Sequence, residues 1–277
     1  MANTNRSLHL FAEALPLSFS DQGSGRAFLV LHGGAGPASM AGLAEALGGS
    51  GRAIVPTHPG FAGQPRPEWF HRVGDLALAY LALLERLDLR DVVLVGSSIG
   101  GWIAAEMALR RSPRVAGLIL LNPVGIEPAS PDRPIVNPVA LPVAERAAYA
   151  FHNPERFAAV PSTPEAQAML AANHKAMLAY AGEPFMHDPM LRARLAAITL
   201  PATVIWGESD RIVDVGYGRR YAASIPGARF EPVSQAGHFP HIEKLERVMQ
   251  LIADLPAAKG VEDDGQDPQD QGAGGRR

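Results

Sequence analysis

The sequence predicts an α/β protein, with a mostly parallel β-sheet, helices on both faces and a helical insertion. Short apolar segments bounded by turn residues recur along the chain, and such segments are typical of strands buried on both faces. Clear examples are AFLVL at 27–31, DVVLV at 91–95 and ATVIW at 202–206. Helix-like stretches separate several of these segments, and this alternation predicts parallel strands joined by helices.

The predicted elements alternate regularly as far as residue 121 and again after residue 201. Strands are predicted at 27–31, 52–55, 91–95, 115–121, 202–206 and 229–233. Helices are predicted at 75–87, 102–111 and 242–255 because these stretches combine sufficient length with good helix formers.

The alternation is interrupted between residues 127 and 197. Five prolines between 127 and 142 exclude a regular element there, and the helical patterns at 165–180 and 189–197 follow. This organisation predicts a core formed by 8–126 and 198–255 with a helical insertion at 127–197. Residues 256–277 contain no aromatic residue and one valine, so we expect a disordered tail there.

Composition and charge exclude several classes of protein. The 277 residues include 25 Lys and Arg against 28 Asp and Glu, a net charge of −3, so the whole-chain basic field that nucleic acid or anionic lipid would attract is absent. The chain has no cysteine, which excludes disulfides, thiolate metal sites and a cysteine nucleophile. No apolar segment approaches a membrane span of about 18–20 residues, and the N-terminus lacks the apolar region of a secretory signal, so we expect a cytoplasmic protein with no membrane partner.

The segment GSSIG at 96–100 fits the pattern Gly-x-Ser-x-Gly and lies directly between a predicted buried strand and a predicted helix. In that context the two glycines permit a sharp turn that lifts the Ser98 hydroxyl above the sheet edge. The alternative is an ordinary strand-to-helix turn capped by Ser97 or Ser98. We favour Ser98 as a nucleophile.

A serine nucleophile needs a base and an acid that orients the base. His238 follows the last predicted strand in a glycine-containing loop and is favoured as the base over His241, which begins the closing helix and is expected to face away. Asp210 follows the strand at 202–206 and is favoured as the acid over Glu208 and Asp214. The alternative for Asp210 is a helix cap.

The glycine-rich segment HGGAGP at 32–37 is a candidate oxyanion loop. Backbone N–H groups of Ile99 and Gly34, or of Ala35 instead of Gly34, would stabilise the developing negative charge. A phosphate-binding loop is disfavoured because the segment has neither Gly-x-Gly-x-x-Gly spacing nor Gly-Lys-Ser/Thr.

Together these segments resemble the α/β-hydrolase superfamily over roughly residues 10–255. The segments that carry the resemblance are LHGGAGP at 31–37, HPGFAGQPRP at 58–67, GSSIGGW at 96–102, GESDRIV at 207–213 and AGHFPHIE at 236–243. The resemblance implies a sheet of about eight strands, a helical cap at 127–197 and a catalytic triad of Ser98, Asp210 and His238. Relatives often have Gly-x-Ser where this chain has Ala62-Gly63-Gln64, a difference that concerns substrate fit more than mechanism.

The identity of the candidate nucleophile disfavours several branches of the superfamily that the chain resembles. Haloalkane dehalogenases and epoxide hydrolases use aspartate, and dienelactone hydrolases use cysteine, so Ser98 disfavours all three. Meta-cleavage C–C hydrolases usually carry tryptophan directly after the catalytic histidine, whereas this chain has Phe239. Proline iminopeptidases have a larger cap with clustered acidic residues, and this short cap shows no such cluster.

The residues and the resemblance favour a serine hydrolase that cleaves small to medium carboxylic esters without a metal or an organic cofactor. Cleavage of a carbon–carbon bond and ligand binding with little turnover are the alternatives. Flexible apolar side chains of the cap would roof the pocket and admit several acyl shapes. Candidate pocket residues are Trp102, Met169, Leu170, Met177, Tyr180, Phe185 and Phe239.

Overall fold

The computed structural model describes residues 4–158 and 162–256 of the protein. A sheet with the strand order β1-β2-β4-β3-β5-β6-β7-β8 forms its centre. The strands are β1 Thr4–Leu10, β2 Leu15–Gly23, β3 Ala27–Leu31, β4 Arg52–Pro56, β5 Val92–Ser97, β6 Val115–Leu121, β7 Ala202–Gly207 and β8 Arg229–Val233. The first two are antiparallel to their neighbours, and β3 to β8 are parallel, which confirms the predicted fold class.

Helices cover both faces of the sheet. They are α1 Ala41–Ser50, α2 Val73–Arg86, α3 Ile99–Leu109, α4 Val143–Ala150, α5 Pro154–Phe157, α6 Pro164–Ala181, α7 Leu191–Arg194, α8 Val215–Ala223, α9 Pro240–Glu243 and α10 Leu245–Ala253. Short 3₁₀ turns lie at Pro37–Met40 and Leu195–Ala197. Leu47 of α1 and Leu251 of α10 belong to the apolar core of one face, while Leu83 of α2 and Ile103 of α3 belong to that of the other.

The N-terminal hairpin of β1 and β2 was not predicted. Leu15, Leu17 and Phe19 of β2 are buried and alternate with half-buried residues, the period-two pattern of a strand with one covered face. β1 is mostly polar and exposed, so its sequence carries no such signal. β1 also begins at Thr4, ahead of the expected start of the core at residue 8.

The predicted boundaries differ from the observed ones mainly at helix ends. α3 starts at Ile99 rather than at residue 102, because Gly100 and Gly101 pack inside its first turn despite their low helix propensity. The closing helix is divided into α9 and α10 at Lys244. The expected tail falls almost entirely on residues 257–277, which lie outside the described part of the chain.

Four helices, α4 to α7, lie between β6 and β7 in the stretch where the helical insertion was expected. The longest, α6, begins at a Thr163 cap whose hydroxyl accepts the Ala166 N–H at 3.2 Å. Its buried face carries Asn173, Met177 and Tyr180. This face therefore packs against the loops that follow the parallel strands.

Candidate active site

Ser98 occupies a strained turn between β5 and α3. Its φ of 55° and ψ of −118° lie outside the regions that a non-glycine residue ordinarily adopts. The turn requires glycine at positions 96 and 100, because a Cβ on Gly96 would overlap Gly100 O and one on Gly100 would overlap Leu31 O. The geometry is that of a nucleophile elbow, and Ser98 remains 9% exposed in a largely buried surrounding.

Asp210 and His238 are directly paired. His238 Nδ1 lies 2.7 Å from Asp210 Oδ2, and both side chains are buried. The other carboxylate oxygen, Oδ1, accepts the N–H groups of Ile212 at 2.8 Å and Val213 at 3.1 Å. The Asp210 carboxylate is therefore held on one side by its own loop, while its second oxygen faces the imidazole.

The two alternative acids occupy other roles. Asp214 caps α8 by accepting the N–H groups of Gly216 at 2.7 Å and Tyr217 at 3.1 Å. Glu208 is exposed. Asp210 is thus not the cap of the following helix, which was the alternative for this residue.

The structure separates the two candidate histidines. His238 contacts Asp210. His241, which was expected to face away, is instead buried within α9 and does not face solvent. Burial, together with repulsion from the nearby His238, lowers the pKa of His241 to about 3. A neutral His241 packed beside Phe239 is the result.

The predicted oxyanion loop lies against Ser98. A Cβ on Gly33 would approach Ser98 Cβ to 3.2 Å, and one on Gly34 would overlap Sδ of Met177. The absence of side chains at both positions keeps the backbone within reach of a group bonded to Ser98. In the described part of the chain, Ser98 Oγ forms no hydrogen bond with His238.

A buried aromatic cluster that the sequence analysis missed supports this loop. The His32 and His58 rings stack with centroids 3.6 Å apart. His58 N–H donates to His32 Nε2 at 3.1 Å, His58 Nε2 donates to His32 O at 2.9 Å, and Tyr80 Oη contacts His58 Nδ1 at 2.5 Å. The flanking segments HGG and HPG were noticed, but no sequence pattern indicates that their histidines meet.

Both histidines of this cluster are held neutral. Burial lowers the pKa of His32 to about 4, partly opposed by its hydrogen bond to Gly33 O. Burial, with repulsion from His32, lowers the pKa of His58 well below its ordinary value. The backbone at the start of the candidate oxyanion loop is therefore bonded to uncharged rings.

Helix α6 forms hydrogen bonds to the same loops. Asn173 Oδ1 accepts the Ala62 N–H at 2.8 Å, and its Nδ2 donates to Ala35 O at 3.4 Å. Tyr180 Oη donates to Pro59 O at 2.9 Å. These contacts place Met177 directly above Gly34.

The expected pocket residues occupy different surroundings. Trp102, Met177 and Tyr180 are buried, and Phe239 is half-buried against Phe151, with ring centroids 5.2 Å apart. Met169 is 43% exposed, because it lies on the solvent side of α6. Apolar residues occur all round this helix, so the sequence could not distinguish the two sides.

No helix among residues 4–158 and 162–256 combines the length and the apolar character that crossing a bilayer requires.

A doubly covered parallel sheet with a serine elbow after β5 and an Asp–His pair after β7 and β8 defines an α/β-hydrolase. A family model described as the alpha/beta hydrolase family matches residues 28–251, and the chain belongs to this family. This finding confirms the resemblance seen in the sequence and supports hydrolase activity.

Relatives within the family have different activities. The chain is 26% identical to a 2-hydroxymuconate semialdehyde hydrolase from Pseudomonas putida, over 90% of this chain and 93% of that protein. It is 28% identical to a pimeloyl-[acyl-carrier protein] methyl ester esterase from Aromatoleum aromaticum, over 82% and 96% respectively. The structure of a thermophilic esterase from Thermogutta terrifontis superposes with a TM-score of 0.69 at 28% identity, over 90% of this chain and 97% of that one.

Proposed function

We propose that this chain is a serine hydrolase that cleaves small to medium carboxylic esters through a covalent acyl-enzyme, with Ser98, His238 and Asp210 as its triad. The observation that carries the proposal is the 2.7 Å contact between His238 Nδ1 and Asp210 Oδ2 at the sheet edge where the elbow presents Ser98. That contact occupies Nδ1 and leaves Nε2 as the nitrogen that can exchange a proton.

The proposed reaction proceeds in two halves. Ser98 Oγ attacks the ester carbonyl while His238 Nε2 takes its proton, and the Ile99 and Gly34 N–H groups stabilise the oxyanion. The tetrahedral intermediate collapses, the alcohol leaves with the proton from His238, and Ser98 is acylated. Water, deprotonated by His238, then attacks the acyl group, and the acyl–Oγ bond breaks as His238 returns the proton to Ser98 Oγ, which releases the acid.

Substrate size follows from the proposed position of the cap. With residues 127–197 as a cap over the site, Met177 above Gly34 would roof the acyl group. A thioether side chain adjusts its shape at low cost, which supports a preference for small to medium apolar acyl groups over one fixed shape. The similarity to the methyl ester esterase of Aromatoleum aromaticum and to the esterase of Thermogutta terrifontis supports the same class of bond.

Hydrolysis of a carbon–carbon bond is the second candidate. It is supported by the similarity to a 2-hydroxymuconate semialdehyde hydrolase. Phe239 weakens it, because the C–C hydrolases that the sequence resembles usually have tryptophan after the catalytic histidine.

A substrate panel tests these candidates. Purified protein and the Ser98→Ala variant are offered p-nitrophenyl esters of increasing acyl length, an aminoacyl amide and a ring-cleavage dienoic ketone. We expect serine-dependent turnover that is fastest on short and medium esters. Faster turnover of the ketone would establish the second candidate, and the absence of turnover on every substrate would point to a binding protein.

A further inference from the structure

A buried carboxylate outside the triad lies close to the catalytic histidine loop. Glu243 of α9 is 8% exposed. Its Oε2 accepts the Gly237 N–H at 2.6 Å and the His152 N–H at 3.1 Å, and its Oε1 accepts the Asn153 N–H at 3.0 Å. Within residues 4–158 and 162–256, no lysine or arginine forms an ion pair with it. Three backbone amides thus stabilise a carboxylate that burial alone would strongly disfavour.

These amides belong to two distant segments of the chain. Gly237 directly precedes His238, whereas His152 and Asn153 lie between α4 and α5, 91 and 90 residues before Glu243. The Glu243 carboxylate therefore joins the histidine loop to the stretch proposed as the cap.

The same part of the chain reaches both catalytic loops through further bonds. Ala150 O accepts the His238 N–H at 2.7 Å, and Tyr149 O accepts the Arg211 N–H at 3.1 Å. His152 Nδ1 lies 2.8 Å from Ser209 Oγ. Residues 149–153, which we call the brace, therefore contact the residues on either side of Asp210 as well as His238.

The close approach depends on glycine at position 237. A Cβ there would overlap the backbone carbonyl oxygen of Ala150. The brace and the histidine loop therefore meet backbone to backbone, with Glu243 bonded to both, and displacing one segment would displace the other.

We propose that Glu243 is a positioning residue that fixes the direction of the His238 imidazole by tying Gly237 to the brace. This inference rests on the proposed function, because His238 must act as the base for Ser98. Asp210 holds the imidazole at Nδ1. The position of the ring also depends on the backbone of residue 238, and Glu243 and the brace fix the position of that backbone. Misplacing a catalytic group by about 1 Å can reduce a rate on the order of 100-fold.

The rate at which a fluorophosphonate modifies Ser98 tests this role. In that reaction the Ser98 Oγ–P bond forms as the P–F bond breaks, fluoride leaves, and the hydroxyl proton passes to His238 Nε2. The readout is the rate constant per reactive site as a function of pH, with the reactive fraction titrated separately. It requires no knowledge of the natural substrate.

Wild type is compared with Glu243→Ala, Glu243→Gln and the control Glu246→Gln, which changes an exposed glutamate of the neighbouring helix α10. We expect Glu243→Ala to lower the rate constant on the order of 100-fold and to flatten its rise with pH, because a misdirected imidazole no longer acts as the base. Glu243→Gln should lie between Glu243→Ala and wild type, since one oxygen remains as an acceptor. Glu246→Gln should match wild type.

A merely structural role would reduce the reactive fraction and the melting temperature but leave the rate constant and its pH profile unchanged, and that result would overturn the proposal. If Glu243→Ala yields no folded protein, Glu243→Gln decides by the same criterion. A wild type that reacts at Ser98 without cleaving esters would contradict the proposed substrate class and leave the positioning role measurable. A wild type whose Ser98 does not react would overturn both.

Discussion

Asn122 donates a hydrogen bond from Nδ2 to Asp210 Oδ2 over 2.7 Å, the same oxygen that lies 2.7 Å from His238 Nδ1. The Asn122 amide is itself oriented, since its Oδ1 accepts the Gly207 N–H at 3.1 Å. Asn122 directly follows β6. Here an uncharged amide occupies that position and fixes the carboxylate that follows β7.

The assignment of the acid predicts unequal effects for two identical substitutions. Asp210→Asn should lower kcat for an ester on the order of 10⁴-fold, because an amide cannot stabilise the imidazolium or fix its tautomer. Asp214→Asn should leave kcat nearly unchanged, since asparagine caps a helix about as well as aspartate. Steady-state kinetics of both variants check this, and a harmless Asp210→Asn would identify a different acid.

The two methionines of α6 predict a contrast in substrate preference. Met177 is 4% exposed and lies over Gly34, whereas Met169 is 43% exposed on the same helix. Met177→Ala should shift the preferred acyl length upward by enlarging the roof, and Met169→Ala should not. The measurement is kcat/KM across p-nitrophenyl esters of increasing length. A uniform loss on all esters in Met177→Ala would indicate damaged folding instead of a reshaped pocket.

Buried neutral histidines predict a loss of stability in acid. Folding lowers the pKa of His32 to about 4 and that of His241 to about 3, and it lowers the pKa of His58 as well. The unfolded chain, with histidine pKa values of about 6.5, therefore binds protons that the folded chain does not. Their stabilising effect is complete above about pH 6.5 and is lost as the pH falls towards 4 and below.

The slope of this loss is measurable. Each such histidine should contribute roughly 1.4 kcal/mol per pH unit to the free energy of unfolding below its unfolded pKa. Urea denaturation between pH 7.5 and 5 gives this slope. His241→Asn should reduce the slope by the contribution of one histidine. Equal stability at pH 7 and pH 5 would show that these side chains bind protons in the folded state.

Local sequence patterns predicted the six parallel strands because most of them are short apolar segments next to turn residues. β3 and β6 have the same bounds as the predictions at 27–31 and 115–121. β1 pairs with β2 over its whole length, yet its own residues are mostly exposed and polar. Its position depends on a partner strand, which a local pattern does not encode.

The candidate site, too, could be predicted from local sequence patterns only in part. Ser98, Asp210 and His238 were selected because each follows a predicted strand, and the structure shows Asp210 and His238 in contact. No local sequence pattern identified Asn122 or Glu243 as a functional residue. Their importance lies in hydrogen bonds to residues 85 to 91 positions away in the chain, which only the folded structure brings together.

Trapping the covalent intermediate tests the central claim most directly. Brief reaction of the protein with a p-nitrophenyl ester, acid quenching and mass spectrometry of the peptides should show one acyl group on the peptide that contains Ser98. The Ser98→Ala variant should show neither the adduct nor turnover. Undiminished ester turnover by Ser98→Ala, or an adduct confined to another residue, would contradict the account.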